Sequence, residues 1–158
     1  MWRPVFLLIF LLHKLTSSEP VSTIIHTPQL SGSNVSLGDE HFTGHGWIDT
    51  IHEDNETTIA DVLFLPGART NWHTHHGGQL LRVVAGSGWI CDEGGKPQRL
   101  MVGDLAWCPP GVTHWHGASD GSYLIHQAIA HGATSWLDAV SDEEYNKTRL
   151  GSDPERKG

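Results

Sequence analysis

Two short segments constrain this chain more than any of its global properties. In the first, Gly67 is followed by five residues, then His73-Thr74-His75, three further residues, Gln79, six more and Gly86. In the second, Gly103 is followed by five residues, then Pro109-Pro110-Gly111, two more and His114. Histidines at i and i+2 on an extended segment project to one face. A side-chain amide just after a turn and a third histidine from a later strand complete a mixed shell of imidazole nitrogen and amide oxygen, which divalent metals accept. The expectation is a β-barrel built around a metal ion.

The rest of the chain is read against that expectation. His41 to Asp49 alternates, with His41, Thr43, His45 and Trp47 on one face and Phe42, Gly44, Gly46 and Ile48 on the other. Thr57 to Leu65 is β-branched and apolar and ends at Pro66-Gly67. Leu80 to Ala85 ends at Gly86. Trp89 to Cys91 and Gln98 to Met101 flank a turn at Glu93-Gly94-Gly95-Lys96. Leu105 to Cys108, His114 to Ala118 and Tyr123 to Ala130 complete the series. Short strands with turn signals at this spacing predict an all-β sandwich or barrel. Ser141-Asp142-Glu143-Glu144 has the form of a capping box and predicts a short C-terminal helix over Asp142 to Lys147. The organisation expected is a signal peptide over 1–18, an N-terminal arm over 19–40 with a short strand at Ser22 to His26, a β-barrel domain over 41–147 and a flexible tail over 148–158.

The termini and the charge set the surroundings. Arg3 precedes an unbroken apolar run from Val5 to Leu12, and small residues follow at Thr16, Ser17 and Ser18. That is too short for a bilayer, which needs roughly 20 apolar residues, and it suits a signal peptide cleaved after Ser18. The chain is therefore expected in the secretory pathway or outside the cell, with no membrane segment in its mature form. Sequons at Asn34, Asn55 and Asn146 agree with export and make a glycoprotein the expectation. The formal charge is −8, from 10 Lys+Arg against 18 Asp+Glu. That balance argues against nucleic acid or an anionic membrane as a partner. Cys91 and Cys108 are the only cysteines. They are read as small buried side chains in preference to a disulfide.

With both segments and their spacing in view, the chain resembles the cupins, whose two motifs they match. The resemblance implies a double-stranded β-helix, or jelly roll, holding metal inside one open end. Two positions depart from the usual pattern: Gln79 stands where a glutamate is usual, and Ala118 where an asparagine is usual. Phe42-Thr43-Gly44, Pro66 to Thr70, Trp72 to His75, Gly103-Asp104, His114 to Gly117 and the stretch from Trp136 to Tyr145 are similar to small single-domain cupins. These include bacterial manganese-dependent hydroxynitrile lyases and cupin-domain oxidoreductases of fungal polyketide pathways. In the bacterial relatives glutamine at the fourth position is itself a ligand. The signal sequence leans toward the fungal group, and with it secondary metabolism. Cupins also commonly dimerise through edge strands, so the resemblance implies a homodimer.

The expected metal ligands are therefore His73, His75, Gln79 and His114, around one divalent ion, Mn or Fe in preference to Zn or Ni. Four neutral ligands leave the full +2 charge at the metal, where a glutamate would have reduced it to +1 and weakened its pull on a bound hydroxyl. His116, two residues beyond His114, and His126, in register with Ala128 and Ala130, are the candidate catalytic residues, moving a proton or holding a substrate oxygen. Ala60 and Val62 are read as pocket lining, and Trp72, Trp89, Trp107 and Trp115 as packing. Asp104 is read as a turn residue, His45 as a weaker candidate and His76 as exposed. The function expected is a metal-dependent oxidoreductase acting on a small oxygenated organic molecule. The alternatives are a metal-dependent lyase and a non-catalytic metal- or ligand-binding protein.

Overall fold

A computed structural model of the chain describes residue 22, residues 35–37 and residues 40–150. The expected signal peptide, Thr23 to His26 of the expected short strand, Asn34 and the tail from Ser152 lie outside the described residues; Ser22 is exposed and not in a strand. Twelve strands and one helix follow in order: β1 (Val35–Leu37), β2 (Phe42–Thr43), β3 (Gly46–Glu53), β4 (Thr57–Phe64), β5 (Arg69–Thr70), β6 (His73–His75), β7 (Gln79–Asp92), β8 (Gln98–Met101), β9 (Leu105–Cys108), β10 (His114–Ala118), β11 (Leu124–His131), β12 (Thr134–Trp136) and α1 (Asp142–Leu150). All strand pairs are antiparallel. One sheet runs β1-β3-β4-β11-β7 with β9 on the far side of β7. The second contains the distal half of β7 with β8 and β10, and β10 continues to β5 and β6, which carry β2 and β12. The all-β double-stranded β-helix is borne out, short C-terminal helix included.

Alternation sends the apolar residues inward. Ala60, Val62 and Phe64 on β4 are buried, as are Leu81 and Val83 on β7 and Leu124, His126, Ala128 and Ala130 on β11. Their intervening neighbours point out. Burying this inner face supplies the driving force for closure, at about 25 cal/mol per Å² of apolar surface.

Three elements differ from the sequence reading. The stretches at Leu80 to Ala85 and Trp89 to Cys91 are one strand, β7, that passes through Gly86. The reason is a bend. Gly86 adopts φ +74°, and the register against β11 shifts at Ile125/His126. A Cβ at Gly86 would lie 1.9 Å from the Tyr123 carbonyl oxygen. Glycine there does not end the strand; it lets one strand serve both sheets. Conversely, the alternating run from His41 to Asp49 is two strands. Gly44, at φ +83°, breaks it and moves β2 to the second sheet while β3 joins the first. The helix runs on to Leu150, into the stretch read as tail.

The helix is tied down by specific bonds. Glu144 N–H donates to Ser141 Oγ at 3.1 Å, the expected cap. The Glu144 carboxylate accepts from Lys147 Nζ. Arg69, buried on β5, donates to the Val140 carbonyl at 2.8 and 3.2 Å and to Asp142 Oδ1 at 2.7 Å, and it lies over the Tyr145 ring. Tyr145 Oη donates to the Ala118 carbonyl at 2.7 Å. With Val140 it buries Trp89, Cys91 and Trp115, the outward side chains of the second sheet. Of the four tryptophans read as packing, Trp72 joins this cluster, but Trp107 points outward from β9 and is exposed. Cys91 and Cys108 are both free and buried, in separate clusters. Burial pushes their thiols up, to about 11 and about 12.

Candidate metal centre

The candidate ligands come from three strands that meet inside one end of the barrel. β6 contributes His73 and His75, β7 contributes Gln79 and β10 contributes His114, with His114 opposite His73 in the register. All four are buried. The rings of His73 and His114 are 4.3 Å apart centre to centre, His73 and His75 5.1 Å, and His75 and His114 5.6 Å. Gln79 Oε1 is 3.2 Å from His114 Nε2. The sequence spacing thus places the four side chains side by side.

Hydrogen bonds orient each ring. His73 Nδ1 donates to the Asn71 carbonyl at 2.9 Å, and His114 Nδ1 donates to the Val112 carbonyl at 3.0 Å. A carbonyl can only accept, so both rings are Nδ1–H tautomers and present an Nε2 lone pair. His75 Nδ1 is 3.0 Å from Thr134 Oγ1, and its Nε2 is buried without a hydrogen-bond partner. A buried polar atom left unpaired costs about 1–3 kcal/mol. A metal ion would satisfy it. The donor set of imidazole nitrogens and an amide oxygen therefore fits a divalent transition metal.

Burial keeps these histidines neutral. Desolvation drives His73 and His116 well below the ordinary histidine range and lowers His114. It pushes His75 and His126 down to about 4. A neutral ring is the form that binds metal and accepts a proton.

The two candidate catalytic residues stand next to this cluster. His116, inward on β10, and His126, inward on β11, are hydrogen-bonded between His116 Nδ1 and His126 Nε2 at 3.2 Å. Both are buried. Nitrogens of His73, His114 and His116 lie within 4.8 Å of one another, so among the described residues the three-nitrogen group at that distance holds His116 where the sequence reading has His75. Thr70 Oγ1 accepts from the His116 backbone N–H. His126 packs against Phe64, and its Nδ1 has no partner.

A cavity of about 110 Å³ opens beside the histidines. Phe42, Ile48, Ala60, Val62 and Ala128 form apolar walls, and His73, His75, Gln79 and His116 form the polar end. Ala60 and Val62 lie where the sequence reading put them. His45 is exposed, on the Gly44–His45 break between β2 and β3, away from the cavity lining. His76 is exposed too. Asp104 Oδ2 accepts from Met101 N–H in a turn, as expected.

The sequence reading passed over three contributors. Thr134 orients His75. Trp136 packs 4.8 Å from His73, and His41 stacks on Trp136 at 4.4 Å and 7°. Thr134 and Trp136 lie on β12, a three-residue strand too short for any periodicity to mark.

An antiparallel β-barrel with an imidazole–amide cluster inside one end defines a class of small metal-binding barrel proteins. The comparisons make it specific: the chain belongs to the cupin family. Residues 60–124 match the cupin domain. The chain is 42% identical over 113 residues to an (R)-mandelonitrile lyase of Granulicella tundricola, covering 67% of this chain and 86% of that one. It is similar to the crystal structure of a cupin-like protein of Thermotoga maritima, with TM-score 0.67 and 40% identity over 69% of this chain and 88% of that chain. A polyketide cyclase of Streptomyces resistomycificus shares the fold at TM-score 0.58 and 14% identity, over 82% of this chain and 94% of its own.

Proposed function

We propose that the protein is a metal-dependent lyase that cleaves the carbon–carbon bond of a cyanohydrin of an aromatic aldehyde, and forms it in the reverse direction. The observation that carries this reading is the ligand-competent histidine cluster at the end of a mostly apolar cavity. It is supported by the 42% identity to a mandelonitrile lyase. The pocket, about 110 Å³, is smaller than the roughly 150 Å³ apolar cavity that accepts benzene, so it limits the substrate to a small molecule, part of which lies outside the enclosed space.

His73, His75, Gln79 and His114 would hold the ion. Such an ion, when bound, lowers the pKa of a substrate hydroxyl and stabilises the oxyanion and carbonyl oxygen on either side of bond cleavage. The chain's own residues do the rest. Phe42, Ile48, Ala60, Val62 and Ala128 hold the aromatic ring and exclude water. The hydroxyl proton leaves, the C–CN electron pair departs with cyanide, and the carbon is left as the aldehyde. His116 accepts the hydroxyl proton and returns it to cyanide, giving hydrogen cyanide. His126 holds His116 in place through the Nε2–Nδ1 hydrogen bond, and a proton moved along that bond switches the other His116 nitrogen between donor and acceptor.

The same cluster serves the oxidoreductase reading, in which a small oxygenated molecule is oxidised. The experiment that separates them uses protein stripped with a chelator and reloaded with Mn(II) or Fe(II), incubated with mandelonitrile. Release of benzaldehyde with no oxygen uptake is the expected result. Oxygen consumption coupled to product overturns the lyase reading in favour of oxidation. Binding without turnover of either kind supports the non-catalytic alternative. We place this activity in an exported protein on the strength of the N-terminal apolar run and the sequons. Asn55 and Asn146 are both exposed, as a glycan requires.

A further inference from the structure

The outer face of the second sheet changes character along its length. Trp89, Cys91 and Trp115 lie beneath Val140 and Tyr145. Side chains two residues apart on a strand share a face. Ser87 therefore continues the line of Trp89 and Cys91 on β7, and Ser119 follows Trp115 just past the end of β10. Ser119 N–H donates to the Ser87 carbonyl at 3.1 Å, which prolongs the β7–β10 pairing. Thr148, three residues after Tyr145, is on the same face of α1. Where the apolar cover stops, three hydroxyl side chains are thus buried: Ser87 and Ser119 are each 8% exposed and Thr148 3%. They border a cleft of about 330 Å³, with Arg99 and Asp120 also on its wall. It shares no lining residue with the cavity beside the histidines.

The cleft has more hydrogen-bond donors than acceptors. The β7–β8 register sets Arg99 opposite Trp89. Its guanidinium lies over the Trp89 ring, 5.4 Å from the centroid, a contact that holds an otherwise exposed side chain in place. Arg99 Nε donates to Met101 Sδ at 3.2 Å and Nη2 donates to Ser87 Oγ at 3.5 Å, while Nη1 makes no hydrogen bond among the described residues. Arg99 is in no ion pair among them either, in a chain whose formal charge is −8. The Ser87 and Ser119 hydroxyl oxygens are 3.2 Å apart. One O–H of the pair serves that bond, and the other is left to donate elsewhere. Asp120, the one carboxylate on the wall, is exposed and engaged in an interaction of its own. A planar cation with open N–H groups beside a buried hydroxyl pair is the donor set that recognises an oxyanion.

We propose that this cleft binds a small molecule through an oxyanion group, a carboxylate or a phosphate, held between the Arg99 guanidinium and the Ser87–Ser119 hydroxyl pair. Arg99 supplies the charge and the forked donors, and the serine pair supplies a further donor at the buried end. The Trp89 ring fixes the guanidinium, so less side-chain freedom is lost on binding. The volume falls at the small end of ligand pockets, about 300–1,000 Å³. The cleft lies on the outer face of the sheet and the histidines on its inner face, so the site is independent of the metal and of the lyase reading.

Titration of the nitrogen-15-labelled full chain with inorganic phosphate and, separately, with acetate tests it, with ionic strength held constant by chloride. Saturable shifts of the Ser87, Ser119 and Gly121 amide signals are expected with at least one of the two, and the tighter binder identifies the group. Arg99→Gln should weaken binding by about tenfold or more, and Ser87→Ala combined with Ser119→Ala by about threefold or more. Arg99→Lys keeps the charge without the fork and should recover only part of the loss. Circular dichroism and metal content of these variants should match the wild type. No saturable shift at these amides with either anion overturns the proposal. So does binding left unchanged by Arg99→Gln, or shifts confined to the histidine end of the barrel.

Discussion

Replacing the amide and replacing an orienting hydroxyl should have different effects at the site. Gln79→Glu keeps an oxygen in place but puts a negative charge beside His114 Nε2. Metal should stay bound while the turnover rate falls by about tenfold or more, since a less acidic ion activates the hydroxyl less. Metal content and the pH–rate profile measured together check this. Thr134→Val removes the partner of His75 Nδ1 and should cost about 10–100-fold in metal affinity with the fold intact, by competition against a chelator of known affinity. The buried histidines also set a pH limit on the metal-free protein. His126 titrates at about 4 when folded, against about 6.5 when unfolded. Between those values the unfolded chain binds more protons, so stability is full above pH 6.5 and is lost as pH falls toward 4. His126 alone contributes on the order of 3 kcal/mol of that loss. His126→Gln should flatten the decline in denaturant midpoint over this window. At this scale the sequence was legible wherever a residue sat in a spaced motif on a strand. Thr134, Trp136 and His41 were not legible, because their roles depend on which strand lies beside which.

The bend in β7 is the element on which the two-sheet closure depends. Gly86→Ala forces a Cβ onto the Tyr123 carbonyl and a positive φ on a residue that resists it. A loss of at least several kcal/mol is expected, read as a sharp fall in the urea midpoint or a failure to fold. The Tyr145 hydroxyl bond that fastens α1 is a smaller matter. Tyr145→Phe leaves the Ala118 carbonyl unpaired at a cost of about 1–3 kcal/mol, seen as a lower melting temperature with metal content unchanged. Strands were legible where a run between turn signals lasted four residues or more, down to β8 and β9. Glycine was the ambiguous sign. The same residue type broke the expected strand at Gly44 and carried a strand through at Gly86, and the backbone pairing decided which.

Over the whole molecule, closure of the barrel turns sequence spacing into a shared centre. His73, His75, Gln79 and His114 lie on three strands that are neighbours only because β7 crosses from one sheet to the other and β10 pairs with both β6 and β7. The two motifs made that convergence readable, since their spacing already implied the strand order. The outward face of the first sheet was not readable, because exposure of Leu105 and Trp107 depends on what lies over them. The most direct measurement is metal stoichiometry by elemental analysis of reloaded, desalted protein, for the wild type and for His73→Ala, His75→Ala and His114→Ala, with folding checked by circular dichroism. One equivalent of divalent metal per wild-type chain, falling below a tenth in each folded variant, is the expected result. A full equivalent retained when these histidines are removed one at a time would contradict a metal centre built on them.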